Sequence, residues 1–155
     1  MKNTLIKSLA LFLVVILAET GHAQSLAAKQ EIAKYTTDYL PEFKSSIVGQ
    51  SGNANLGKID VNVDFASFGN SKEELENGQR QLIHIKGALL FLNKNATART
   101  EIEKQLKKIM IGLVSDPKQK GMSFKDGELV VKSNSFALGS LHGSEDVKKF
   151  LLENL

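Results

Sequence analysis

The stretch "MSFKDGELVVKS" (residues 122–133) carries the clearest fold signal in the chain. Apolar and polar residues alternate on both sides of Asp126-Gly127, which is typical of β-strands with one buried face. Asp and Gly tolerate the positive φ angles that a two-residue hairpin turn requires. The pattern therefore predicts an antiparallel hairpin over residues 122–135.

A further strand is predicted over residues 58–68, "KIDVNVDFASF". Apolar residues alternate strictly with residues that carry side-chain oxygen atoms, so one face of the strand is apolar and the other is polar. The apolar set is Ile59, Val61, Val63 and Phe65, and the polar set is Asp60, Asn62 and Asp64. This strand should bury one face and expose the other to solvent.

Apolar residues at helical spacing predict helices elsewhere. The first covers residues 25–47 and should end or kink at Pro41, followed by a loop over 48–57. The second begins at a Ser71 N-cap and breaks near residues 93–95. The third covers residues 97–114 with Thr97 or Thr100 as its N-cap, and the last begins at a Ser144 N-cap. Together these elements predict an α+β domain, with about four helices packed on a small three-stranded antiparallel sheet (58–68 plus hairpin 122–135).

The first 25 residues have the layout of a secretory signal peptide. Lys2 and Lys7 give a positive start, and an apolar run of 11 residues follows from Ser8 to Ala18. A membrane-spanning helix needs about 20 apolar residues, so an uncleaved anchor is the weaker alternative. Gly21 and Ala23 fit a signal peptidase, which predicts cleavage after Ala23 and a single domain over residues 24–155. We therefore expect an exported protein, periplasmic or secreted, with no permanent membrane anchor after cleavage.

Composition excludes several kinds of chemistry. The chain has no Cys, which rules out thiol catalysis, disulfides and Cys-ligated metals. Residues 24–155 carry 18 basic and 16 acidic residues, so the chain lacks a strong positive field. Lys104, Lys107 and Lys108 form the densest basic stretch and are expected to line one solvated side of a helix. We accordingly expect no nucleic-acid binding.

"GNANLGK" (residues 52–58) resembles a phosphate-binding loop only in part. Ile59 stands where that loop needs Ser or Thr, and the segment precedes a predicted strand rather than a helix. A plain surface loop is the better interpretation of this segment.

The candidate binding residues are few. The oxygen row Asp60, Asn62 and Asp64 is either a solvated strand face or a site for a cation or a basic partner. A calcium loop would need Gly at the position of Phe65. His84 is expected to be a partly buried helix residue, and His142 lies in the small-residue loop "GSLHGS". His22 would leave with the signal peptide, and the two remaining histidines cannot make a three-His zinc site, so we expect no metal and no cofactor.

The sequence holds no assembled catalytic motif, such as Gly-x-Ser-x-Gly. This favours a non-catalytic binding or protein-interaction module of the bacterial envelope or exterior, of the inhibitor, immunity, chaperone or carrier type. Its partner would be an unknown envelope protein or a small ligand. Two alternatives remain: membrane attachment through the last helix, where Lys148 and Lys149 stand beside Phe150, and a small periplasmic or secreted hydrolase. The hydrolase would use scattered residues, namely Asp64, Arg80, His84, Arg99 and His142.

Overall fold

A computed structural model describes residues 25–69, 72–134 and 140–155. The predicted signal peptide (1–23) and the predicted Ser71 cap lie outside these residues. The elements are α1 (Leu26–Lys34), a π-helical turn (Tyr35–Tyr39), α2 (Leu40–Ser51), β1 (Asp60–Val63), α3 (Lys72–Leu92), α4 (Ala96–Gln105), β2 (Lys108–Val114), β3 (Gly121–Lys125), β4 (Glu128–Asn134) and α5 (Ser144–Asn154). The segment from α1 to α2 is uninterrupted, so the described residues form four main helical segments, four strands and three short 3₁₀ helices, at Leu56–Lys58, Phe65–Phe68 and Pro117–Gln119.

The mixed α and β content is confirmed, but the predicted three-stranded antiparallel sheet is wrong. The four strands have the order β1-β2-β4-β3. β1 and β4 both pair with β2 in parallel, and β3 pairs with β4 antiparallel. The sheet is therefore mostly parallel, with one antiparallel pair.

The strand that was not predicted is β2, which lies in the centre of the sheet beside β1 and β4. Its sequence, "KIMIGLV", was included in a predicted helix over residues 97–114. A short apolar run fits a helix stripe as well as a buried strand, because periodicity alone does not separate them. The helix α4 ends at Gln105, and Leu106 already has the extended angles φ −80° and ψ 110°.

The hairpin over β3 and β4 is confirmed as far as Asn134, the last residue described before the gap at 135–139. Lys125 pairs with Glu128 across the turn. Asp126 and Gly127 have φ angles of 51° and 82°, as a two-residue turn with both central residues in the positive region requires. A Cβ on Gly127 would also lie 2.9 Å from the carbonyl oxygen of Gln105, so the turn packs closely against the end of α4.

Several helix boundaries differ from those predicted. Pro41 does not end the first helix; it lies in the first turn of α2, directly after the π-helical turn Tyr35–Tyr39. The helix continues to Ser51, so the predicted loop begins later. The break after α3 is confirmed, but Asn95 is the cap of α4, with Oδ1 accepting from Ala98 N–H at 3.0 Å. The cap of α5 is Gly143 rather than Ser144.

Helix α3 is central to the packing. It contacts β2 on one side and α1, α2 and α5 on others. Gly78 permits a close approach here, because a Cβ would lie 2.3 Å from Phe68 Cε1 and 2.5 Å from the Tyr35 hydroxyl. That hydroxyl donates to the Leu75 carbonyl. None of the described helices is long and apolar enough to cross a membrane.

Candidate functional site

The predicted oxygen row begins on the uncovered side of β1. Asp60 is exposed, and its carboxylate Oδ2 accepts from Asn62 Nδ2 at 3.1 Å. The parallel register places Asp60 beside Lys108 on β2. Lys108 forms a 3.1 Å salt bridge with Glu128 on the next strand. The row therefore belongs to a band of alternating charges across the sheet.

Asp64 follows β1 at the carboxyl end of that strand. Its N–H donates to the Ile111 carbonyl at 2.8 Å. Ser67 Oγ donates to the Asp64 carbonyl at 2.6 Å and accepts from Leu113 N–H at 2.9 Å. These contacts extend the pairing with β2 and fix the turn that leads to α3. Asp64 is exposed, and its carboxylate lies beside Gly112.

His142 is held by a buried polar network that the sequence did not indicate. Gln81 on α3 is 0% exposed. Its Oε1 accepts from Ser133 Oγ at 2.7 Å and from His142 N–H at 3.0 Å, and its Nε2 donates to the His142 carbonyl at 2.9 Å. This network joins helix α3, the end of β4 and the segment before α5. The only sequence signal was a polar residue on an otherwise apolar helix stripe.

The imidazole of His142 is fixed as well. Its Nε2 lies 3.0 Å from the Lys132 carbonyl, and because a carbonyl only accepts, Nε2 carries the proton. Burial lowers the pKa of His142, partly opposed by that hydrogen bond. The neutral ring therefore serves to dock the segment before α5 onto β4.

His84 lies three residues from Gln81 on α3 and is partly exposed, as predicted. Within the described residues, no group of three or more His, Asp or Glu side chains is placed to hold a metal ion. The residues of the hydrolase alternative are spread over separate elements: Asp64 follows β1, Arg80 and His84 are on α3, Arg99 is on α4 and His142 precedes α5.

A groove is formed where three helices meet: the end of α3, the start of α4 and the end of α5. Its volume is about 380 Å³. Most of its lining is apolar: Phe91, Leu92, Ala98, Leu151, Leu152 and Leu155. Three polar residues complete it: Asn95, Thr97 and Glu101. We call it the three-helix groove.

Two large apolar side chains of this groove are exposed. Phe91 is 53% exposed and Leu152 is 58% exposed, whereas Leu92 and Leu151 are buried beneath them. Lys148 Nζ lies 4.3 Å from the centroid of the Phe91 ring, a cation–π contact. The sequence contained the signal for Leu152, because a helix with three consecutive apolar residues cannot turn all of them to one core.

No protein-family model, curated protein or solved structure matches this chain. Its function is therefore inferred from the geometry of the described residues.

Proposed function

We propose that this chain is an exported protein-interaction module, and that the three-helix groove binds an amphipathic segment of another envelope protein. The observation that carries the proposal is the pairing of Phe91 and Leu152. They come from different helices, both are more than half exposed, and they line the same groove. Exposed apolar side chains grouped in a concave site are typical of interaction surfaces.

The energetic gain comes from covering these two side chains. Fully burying a Phe or Leu contributes about 1.5–3 kcal/mol. The exposed halves of Phe91 and Leu152 therefore offer about 2 kcal/mol in total on contact with a partner. We expect a helical segment as the occupant, because amphipathic helices commonly bind apolar grooves through residues at positions i, i+3, i+4 and i+7.

The surroundings of the groove favour an acidic partner segment. Lys94 and Arg99 are exposed next to the lining residues Asn95 and Ala98, whereas Lys148, which lies over Phe91, is paired with Glu145. Lys94 and Arg99 form no salt bridge within the described part of the chain. Acidic residues beside the apolar stripe of the partner would be attracted to these charges and would set its orientation.

Export is the sequence-based half of the proposal. A positive start, an apolar run too short to span a bilayer and small residues at Gly21 and Ala23 support cleavage before Gln24. The partner would then be met in the periplasm or outside the cell.

The test is a capture experiment with matched variants. The protein is immobilised and exposed to envelope extract, and the retained proteins are quantified by mass spectrometry. The double variant Phe91→Ser, Leu152→Ser should lose a near-stoichiometric partner. Ile83→Ser should retain it, because Ile83 is 55% exposed but lies outside the three-helix groove. Equal retention by all three proteins would refute the groove as the binding site.

A further inference from the structure

A second concave site lies at the amino ends of β1 and β2, and it shares helix α4 with the three-helix groove. It is an open cleft of about 650 Å³ between the turn that leads into β1 and the end of α4. Three lysines line it: Lys58 from the turn, Lys104 from α4 and Lys107 from the connection to β2. The structure thus joins Lys58 to a basic stretch that is distant in sequence.

The basic stretch is not one helix face, as the sequence predicted. Helix α4 ends at Gln105, so only Lys104 is helical. Lys107 follows the helix, and Lys108 belongs to β2, where it pairs with Glu128. The end of α4 therefore directs Lys104 and Lys107 to the cleft and Lys108 to the sheet.

Two of the cleft lysines donate hydrogen bonds to uncharged groups. Lys58 Nζ donates to Asn55 Oδ1 at 2.8 Å, and Lys107 Nζ donates to the Glu103 carbonyl at 3.0 Å. Both acceptors are uncharged. Lys58, Lys104 and Lys107 form no salt bridge within residues 25–69, 72–134 and 140–155.

Two negative contributions partly offset the charge of the three lysines, and each is smaller than that charge. Glu103 lines the cleft, with its Oε1 accepting from Asn53 Nδ2 at 2.8 Å. The carboxyl end of α4 adds about half a negative charge. Against three lysines these leave a surplus of about one and a half positive charges. Basic residues are favoured near the carboxyl end of a helix, which partly explains Lys104 and Lys107. Lys58 lies outside the helix and is not explained in this way.

We propose that this cleft binds a small polyanion, a molecule with at least two phosphate or carboxylate groups. Sites for small molecules commonly have volumes of about 300–1,000 Å³, which includes this cleft. Lysine ammonium groups suit such a ligand, since each supplies a full charge and three donors. Recognition would depend on these side chains and not on a phosphate loop, because residues 52–58 precede β1 and hold only a three-residue 3₁₀ helix, Leu56–Lys58, rather than the start of an α-helix.

The test is an NMR titration of the isotopically labelled protein with pyrophosphate and, separately, with citrate. Sodium chloride holds the ionic strength constant. Backbone amide shifts should change around residues 55–59 and 100–107. The double variant Lys58→Gln, Lys104→Gln should bind about a hundredfold more weakly, if each lost charge contact costs about tenfold. Lys118→Gln removes an exposed lysine outside the cleft and should bind as the wild type does.

Binding of pyrophosphate alone would assign the site to phosphate compounds, and binding of citrate alone to polycarboxylates. The proposal is overturned if neither probe gives localised shifts at millimolar concentration. It is equally overturned if the double variant binds like the wild type while its other amide shifts show an intact fold. Neither result bears on the three-helix groove, since no residue lines both sites.

Discussion

Gln81 and Ser133 are 52 positions apart in the chain, yet Ser133 Oγ donates a 2.7 Å hydrogen bond to Gln81 Oε1 in the protein interior. The same oxygen accepts from the His142 N–H. One buried amide thereby connects α3 to β4 and to the segment before α5. A fully satisfied buried polar group of this kind fixes how the elements pack.

Replacing Gln81 should therefore destabilise the fold. Gln81→Leu keeps a similar volume but leaves the Ser133 hydroxyl and the His142 backbone without partners. Each buried group left unpaired costs about 1–3 kcal/mol, so the free energy of unfolding should fall by at least about 2 kcal/mol. Urea denaturation measures this, with the exposed Gln119→Leu as control. A loss equal to that of the control would show that the network carries no stability.

Gly78 should not accept even a methyl group. In Gly78→Ala the Cβ would meet Phe68 Cε1 at 2.3 Å, and relieving that clash should cost about 1–3 kcal/mol. Gly49→Ala is the matched control on α2, since nothing lies within 4 Å of its Cβ position. That control should gain about 0.5–1 kcal/mol from helix propensity. Thermal melts that rank the two variants in the opposite order would contradict the packing described here.

Because of Glu31, the folding stability should depend on pH in the acidic range. Burial by itself would raise the pKa of its carboxyl group. The hydroxyl of Tyr39 at 2.7 Å and the ammonium of Lys34 at 3.0 Å lower the pKa by more, so that it lies below the ordinary 4.5. A folded-state pKa below the unfolded one means that the stabilisation is present above pH 4.5 and is lost as the pH falls.

The variant Glu31→Gln should consequently lose stability at neutral pH and lose less of it on acidification than the wild type. Urea titrations at neutral pH and below the ordinary carboxyl pKa measure both effects. The same contact raises the pKa of Tyr39 to about 12, so wild-type stability should also decline as the pH rises from 10 toward 12. If Glu31→Gln and wild type show parallel pH profiles, the Glu31 contacts do not contribute.

Processing at the amino terminus has a simple test. The intact mass of the exported protein should match a chain that begins at Gln24, because the apolar run is too short to remain as an anchor. A full-length mass in the membrane fraction would contradict the predicted cleavage and favour the uncleaved anchor.

The sequence predicted the elements whose patterns are local. The hairpin followed from alternation around Asp126-Gly127. Alternation along residues 58–68 predicted β1, but the strand covers only Asp60–Val63, and the predicted strand end Phe65–Phe68 is a 3₁₀ helix. The parallel sheet was missed, since Ile109, Met110 and Leu113 fit a helix stripe, although the whole run Lys108–Val114 forms the central strand. Without β2, the strands before and after it had no partner to pair with in parallel.

Local sequence patterns could not predict the three-helix groove or the lysine-lined cleft either. Phe91 and Leu152 are 61 positions apart, and Lys58 and Lys104 are 46 apart, so only tertiary packing brings each pair into one cleft. The predicted binding residues Asp60, Asn62 and Asp64 lie along one strand and its end, as alternation required. The structure adds their environment, a band of paired charges with Lys108 and Glu128.

The most direct test of the central claim is crosslinking in the cell that makes the protein. A photoreactive amino acid in place of Leu152 should give one discrete protein adduct on irradiation, because Leu152 lines the proposed binding groove. The same amino acid in place of Ile83, which is similarly exposed outside the groove, should give none. A discrete adduct from position 83 and none from position 152 would contradict the account.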